Sequence, residues 1–373
     1  MGPLTGVKVV ELAGIGPAPF ACMLLAELGA EVLRIERPGG GLRMGPPELE
    51  LLNRGRRSVV LDLKNPLAVD AVLQLVGRAD VLVEGFRPGV AERLGLGPQE
   101  CFEVNPRLVY GRMTGWGQDG PLAASAGHDI DYLALSGALH AIGRAGGPPQ
   151  VPVNLLGDFA GGSLYLVVGV LAAVMEARGS GRGQVVDAAI VDGAAHLTTM
   201  LLGALAAGNW QRERGTNLLD TGAPFYDVYE TSDGQYMAVG ALEPRFYGEF
   251  VRLLGITAPD RYDPANWPEL RKTLADAFRQ RSQAEWTQVF DGSDACVSPV
   301  LPLGGEHPHL VARGIFLDRD GVRQPAPAPR FSRTPAELGE PPARAGRHTR
   351  AALTDWGVTG VEELLASGAA VQA

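Results

Sequence analysis

Short, β-branched apolar runs alternate with helical patterns through the first half of the chain. VKVVEL (7–12), EVLRIE (31–36), SVVLDL (58–63), DVLVEGF (80–86) and LVYGRM (108–113) read as buried strands. PAPFACMLLAELGA (17–30) and the segments around 66–78 and 98–105 carry helical spacing between them. Such alternation predicts an α/β domain on a parallel sheet covered on both faces. Ligands of open sheets bind beyond the carboxyl ends of the strands, which puts Glu36, Arg37, Gly85 and Arg87 at a binding edge. Two apolar helical stretches, 159–177 and 189–207, close the domain. Their Ala and Gly content permits close helix packing and suggests a tight dimer.

The pattern changes after Trp210. PFYDVYETSDGQYMAVGAL (224–242) reads as a hairpin turning at Ser-Asp-Gly, followed by helical segments at 244–255, 268–281 and 282–291. A second hairpin is expected over 314–324, then a proline-rich connection over 324–346 and a helical tail over 347–369. The expected organisation is a large α/β domain (1–210), a smaller α+β domain (224–325), and a linker with C-terminal helices (326–373) returning to the first.

Composition narrows the function. With 373 residues, 46% apolar and 20% charged, the chain has the makeup of a soluble globular protein of two domains. A formal charge of −9 argues against nucleic acid as a general partner. The glycines in Phe159–Met175 and its flanking Asp158 and Glu176 favour a buried helix over a membrane span. No secretory leader pattern opens the sequence, and Cys22, Cys101 and Cys296 show neither metal spacing nor a disulfide framework, so a cytoplasmic location is expected. The first strand–helix turn, GIGPAP (14–19), lacks the full dinucleotide fingerprint, and no Walker A loop occurs.

GHDIDYLALSG (127–137) and PVNLLGDFAGG (152–162) set an imidazole, His128, and a carboxylate, Asp158, at the starts of two apolar helical stretches. A base and an acid of this kind can move a proton between two faces of one carbon. Each also has an ordinary structural explanation, His128 as a capping or core histidine and Asp158 as a helix cap. Glu243, in GALEPRF, is either a solvated turn residue or a carboxylate that orients an imidazole. Arg37, Arg54, Arg56, Arg57, Lys64, Arg87 and Arg93 crowd the loops beside the sheet edge, where guanidinium and ammonium groups bind phosphates or form a solvated basic surface.

The ordered motifs VVELAG, RIERPG, NRGRRSVVLDLK, EGFRPGV, GHDIDYLALSG, NLLGDFAGG and GQVVDAAIVDG resemble the α-methylacyl-CoA racemases, within the family III CoA-transferase (CaiB/BaiF-like) superfamily. The resemblance is strongest over 4–245 and looser beyond. It implies an interlocked homodimer with a Rossmann-like large domain, and interconversion of (2R)- and (2S)-2-methylacyl-CoA thioesters by two bases through an enolate. His128 and Asp158 match the family's catalytic positions, and Glu243 the glutamate that pairs with the histidine. CoA contacts are implied at Arg37, the run Leu61, Asp62, Leu63 and Lys64, at Gly85, Phe86, Arg87 and Arg93, and at Gly127, Asp129, Ile130, Asp131 and Tyr132. CoA belongs to the substrate, so no metal, flavin or nicotinamide cofactor is expected. Two other functions remain open: CoA transfer with Asp158 as the nucleophile, and CoA binding without catalysis.

Overall fold

The apolar runs of the first half pair side by side, as their burial requires. The computed structural model describes residues 2–41 and 45–373. Its elements begin β1 Lys8–Leu12, α1 Pro17–Glu27, β2 Glu31–Glu36, β3 Arg57–Leu61, α2 Pro66–Val76, β4 Val81–Glu84, α3 Val90–Arg93, α4 Pro98–Val104, β5 Val109–Thr114 and α5 Asp129–Ser136. A continuous helical run, Leu155–Ser180, follows; Leu155–Leu164 is wound as π-helix and Tyr165–Ser180 (α6) as α-helix. Then come β6 Gln184–Ala189, α7 Ile190–Leu197, α8 Thr199–Ala206, β7 Tyr226–Glu230, β8 Tyr236–Gly240, α9 Pro244–Leu254, α10 Trp267–Phe278, α11 Gln283–Phe290 and β9 Val297–Pro299. The chain ends with α12 Pro308–Ala312, β10 Phe316–Arg319, β11 Val322–Pro325, α13 Thr349–Asp355, α14 Val361–Ala366 and β12 Ala370–Val371.

Contacts group the chain into two compact units: 1–136 with 153–197 and 313–373, and 137–152 with 198–312. The first unit holds a seven-stranded sheet in the order β12-β3-β2-β1-β4-β5-β6, parallel except where β12 pairs antiparallel with β3. From β3 to β6 this is the Rossmann strand order, and winding reverses between β1 and β4. The pleat sorts β1 by face: Val10 and Leu12 pack with α2, α13 and α14, whereas Val7 and Val9 pack with α1 and α6.

Glu11 shares the second of those faces and is fully buried. Its carboxylate accepts from Arg34 Nη1 at 2.5 Å and from Arg56 Nη1. Glu11 and Arg34 are register partners on β1 and β2, and Arg56 immediately precedes β3. One carboxylate thus joins three strands. Arg54 likewise pairs with buried Glu27 and donates to Gln324 Oε1 at 2.9 Å, and Arg57 pairs with Asp355 at 2.8 Å. Arg54, Arg56 and Arg57 thus hold the fold together and do not form a basic rim; Glu11 on β1 and Glu27 on α1 had no visible sign in the sequence of facing inward.

The second unit is a three-stranded antiparallel sheet, β7-β8-β9, covered by α9–α11 around Phe250, Phe278, Trp286 and Phe290. The hairpin β10–β11 turns at Asp320-Gly321, both at positive φ, and lies in the first unit, as does the tail. The helical tail consists of α13 and α14, separated at Gly357 and Gly360, and ends in the short strand β12. The strand β6 and the break at Thr198 between α7 and α8 went unread in the sequence, because an edge strand with exposed Gln184 and Val185 lacks a clean apolar run. Among the described residues, Leu155–Ser180 alone is long and apolar enough to cross a membrane, by length and composition. Leu166, Val167, Val170, Ala173, Val174 and Ala177 on that helix are buried against the sheet.

Removing Glu11 strands two buried guanidinium groups. Glu11→Ala should therefore cost about 3–5 kcal/mol and lower the urea midpoint of unfolding. A loss below about 1 kcal/mol, the range of an exposed ion pair, would contradict a structural role for this cluster.

Candidate active site

The winding reversal leaves a crevice beyond the carboxyl ends of β1 and β4. The turn after β1 reaches α1 through Gly16, whose φ of 67° and ψ of −111° suit glycine alone. A Cβ built there would lie 3.3 Å from Asp158 Oδ2, so the Asp158 carboxylate rests against the entrance to α1. Phe20 of α1 stacks on Phe159, ring centroids 4.6 Å apart, and Ser163 Oγ donates to Pro17 O at 2.8 Å. These contacts dock the π-helical turn beside the crevice. π-Helical turns recur at functional sites because they displace a side chain from its α-helical direction.

Asp158 is half-buried. Burial raises its pKa from the ordinary aspartate value; the charge of Asp129 adds to the rise, while a hydrogen bond from Asn154 (3.3 Å) and the neighbouring imidazole of His128 oppose it. His128 stands exposed immediately before α5. Its N–H donates to Asp131 Oδ2 at 2.9 Å, and its carbonyl accepts from the N–H groups of Asp131 and Tyr132. Asp131 therefore closes the first turn, leaving the imidazole unneeded as a cap. The first unit brings His128, Asp158 and the start of α5 together. Glu243 is exposed as the first flanking residue of α9 in the second unit, with no capping bond from its side chain.

The remaining sequence candidates fall into three groups. Arg37, Lys64, Arg87, Arg93, Ile130 and Asp131 are exposed, and Gly85 lies at the surface directly after β4. Arg37 is anchored by Nε donating to Gly40 O at 2.5 Å. Arg87 is near enough to Tyr132 for its charge to act on the phenol, which burial pushes up to about 12, with Asp158 and Asp131 contributing. Gly127 lies against the rings of Tyr132 and Trp116, which meet edge to face at 4.7 Å. Asp62, Leu63 and Phe86 are half-buried; the Phe86 N–H donates to Glu84 Oε2 at 2.6 Å, and Asp62 Oδ1 accepts from the Lys64 N–H.

Three candidates are buried: Leu61, Asp129 and Tyr132. Leu61 is fully buried in the core on β3, opposite Ala370, so its side chain packs the sheet. Asp129 is buried too, and its Oδ1 accepts the N–H of Asp158 at 2.6 Å. Sequence reading missed Gly16, Asn154, Trp116 and Arg261. Asn154 stands one helical turn before Asp158, a spacing that offers a signal; the others lie far from their partners in sequence. Arg261 donates to Ala241 O and Leu242 O, both at 2.9 Å, and sits over the Tyr247 ring at 4.3 Å, fixing the turn that leads to Glu243. A cavity of about 310 Å³ lies instead at the amino ends of the strands, lined by Arg78, Asp80, Asn105, Arg107 and Arg178. None of the sequence candidates lines it. Among the described residues, no three His, Cys, Asp or Glu side chains gather as a metal site.

Strand order defines a doubly wound α/β protein, with the half-buried Asp158 against the turn that follows β1 at its switch point. The CoA-transferase family III model matches residues 4–349, and the chain belongs to that family. It is 46% identical over 369 residues to the α-methylacyl-CoA racemase of Mus musculus, spanning 97% of this chain and 95% of that one. Identity to the Homo sapiens α-methylacyl-CoA racemase is 45% over 362 residues, with 95% and 93% coverage. A CaiB/BaiF family protein from Brucella suis shares the fold at a TM-score of 0.83 and 27% identity, over 95% of this chain and 99% of that structure.

Gly16→Ala tests the contact that seats Asp158. The added methyl strains the backbone by about 1–3 kcal/mol and presses on the carboxylate. The variant should melt at lower temperature than the parent; an unchanged melting temperature would mean that the turn relaxes freely.

Proposed function

We propose that the protein is an acyl-CoA racemase that interconverts the two epimers at C2 of 2-methylacyl-CoA thioesters. The observation that carries this reading is the placement of Asp158, half-buried with a raised pKa, within the electrostatic reach of His128. Similarity to two racemases across nearly the whole chain supports it.

A thioester carbonyl acidifies the adjacent carbon, yet proton loss still needs the enolate to be stabilised. The N–H groups at the start of α5 are suited to that developing charge, since the first turn of a helix has donors without intrahelical acceptors. His128 takes the proton of one epimer while protonated Asp158 delivers one to the opposite face; the reverse reaction exchanges the roles. Burial of Asp158 brings its proton affinity closer to that of imidazole, which the exchange requires. Proton transfer of this kind needs no metal, flavin or nicotinamide. Arg37, Arg87 and Arg93 supply charge for the phosphates of CoA.

Assembly as a homodimer completes the reading. Val168 and Met175 on α6 of the first unit are 67% and 76% exposed, and Met200 and Leu202 on α8 of the second are 63% and 60% exposed, apolar side chains that a second copy would cover. In the dimer, Glu243 is the carboxylate that orients the His128 imidazole. A cytoplasmic location fits the same reading.

His128→Ala and Asp158→Asn should each lower kcat for epimerisation by at least about 10³-fold, with KM changed only a few-fold. Retention of near-parental turnover in either would remove that residue from the mechanism. Acyl-CoA formation from a free acid and a CoA donor, abolished by Asp158→Asn and without epimerisation, would make Asp158 an anhydride-forming nucleophile instead. In the parent enzyme acting on the epimer whose proton Asp158 removes, kcat/KM should fall on acidification through a value above the ordinary aspartate range, because Asp158 then loses its charge. An acid limb within that range would contradict the raised pKa.

A further inference from the structure

Asp129 follows His128 directly and opens α5. Its side chain turns away from solvent and spans 29 positions of sequence to the π-helical turn, where Oδ1 accepts the Asp158 N–H at 2.6 Å. It accepts the Gly157 N–H as well. A Cβ at Gly157 would come within 2.3 Å of Oδ1, so that residue is glycine to let the carboxylate in. Asn154, at the entrance to the same turn, makes no capping bond to it. The turn that carries Asp158 is therefore capped by the residue bonded to His128.

Resting on the racemase reading, we infer that Asp129 is a positioning residue that fixes the spacing of the two bases and is not a CoA contact. Asp129 is only 8% exposed, leaving little surface for a ligand, and its Oδ2 is buried without a hydrogen-bond partner in the protein. A neutral amide keeps one acceptor oxygen but replaces the other with an NH₂ donor, so it would seat the turn less closely. The carboxylate adds a negative charge beside Asp158, which favours the protonated form that one direction of the reaction needs.

The test compares Asp129→Asn, Asp129→Ala and Asp158→Asn in the full-length enzyme with a single epimer of 2-methylacyl-CoA. Asp129→Asn should stay folded and keep KM within about two-fold, while kcat falls about 10- to 100-fold, the effect of a small misplacement of reacting groups. With the epimer whose proton Asp158 removes, the acid limb of its kcat/KM profile should move to lower pH, because removing a neighbouring negative charge lowers the pKa of Asp158. A purely structural cap would leave that limb in place. Asp129→Ala, which removes both acceptors, should lose more kcat than Asp129→Asn. A raised KM with unchanged kcat in Asp129→Asn would make Asp129 a CoA contact and overturn the inference. Parental kcat and acid limb in Asp129→Asn, with Asp158→Asn inactive, would also overturn it and leave the racemase reading standing. Epimerisation retained in Asp158→Asn would remove the reading on which it rests.

Discussion

The site depends on a buried charge cluster inside the parallel sheet. Glu11 is held between Arg34 and Arg56, all three withdrawn from solvent at the centre of the parallel sheet. Isolated charges there would be costly, so each must keep its partner. The cluster sets the approach of β1, β2 and the entrance to β3. Arg34 also reaches Gly14 O at 3.5 Å, in the turn after β1. That turn continues to Gly16, against which Asp158 rests. Ion pairing within the sheet and the position of a reactive carboxylate are thus consecutive links.

From this frame the chemistry follows by burial and direction. A π-helical turn docked on α1 presents Asp158 to the crevice, and desolvation weakens its acidity. Asp131 satisfies the first turn of α5, freeing the imidazole of His128 for solvent and substrate. The two groups differ in environment as well as type, one half-buried and the other exposed, and such differences let one site hold an acid and a base together. The same arrangement explains why a family named for CoA transfer accommodates proton transfer: the crevice and the carboxylate serve either chemistry, and the imidazole beside them favours the second.

Much of this was legible in the sequence. Five strands of the large sheet are continuous apolar runs, because a strand covered on both faces must be apolar on both. His128 and Asp158 stood out through their apolar, glycine-flanked surroundings. Charge inside the sheet was not legible. Arg54 and Arg56 read as a basic rim because their partners, Glu27 and Glu11, sit 27 and 45 positions away. Asp129 was implied as a CoA contact by the family resemblance, and its acceptor role toward the Asp158 N–H is visible only once the π-helical turn is folded against α5. Within the helical tail, the break between α13 and α14 falls at Gly357 and Gly360, both at positive φ, with no proline between them to announce it.

The central claim is proton exchange at C2 by two bases. Incubating the purified protein with one epimer of 2-methylacyl-CoA in D₂O, with no acid acceptor present, tests it directly. The account predicts deuterium at C2 in the inverted product and convergence on both epimers. Recovery of the starting epimer, unexchanged at C2, would contradict it.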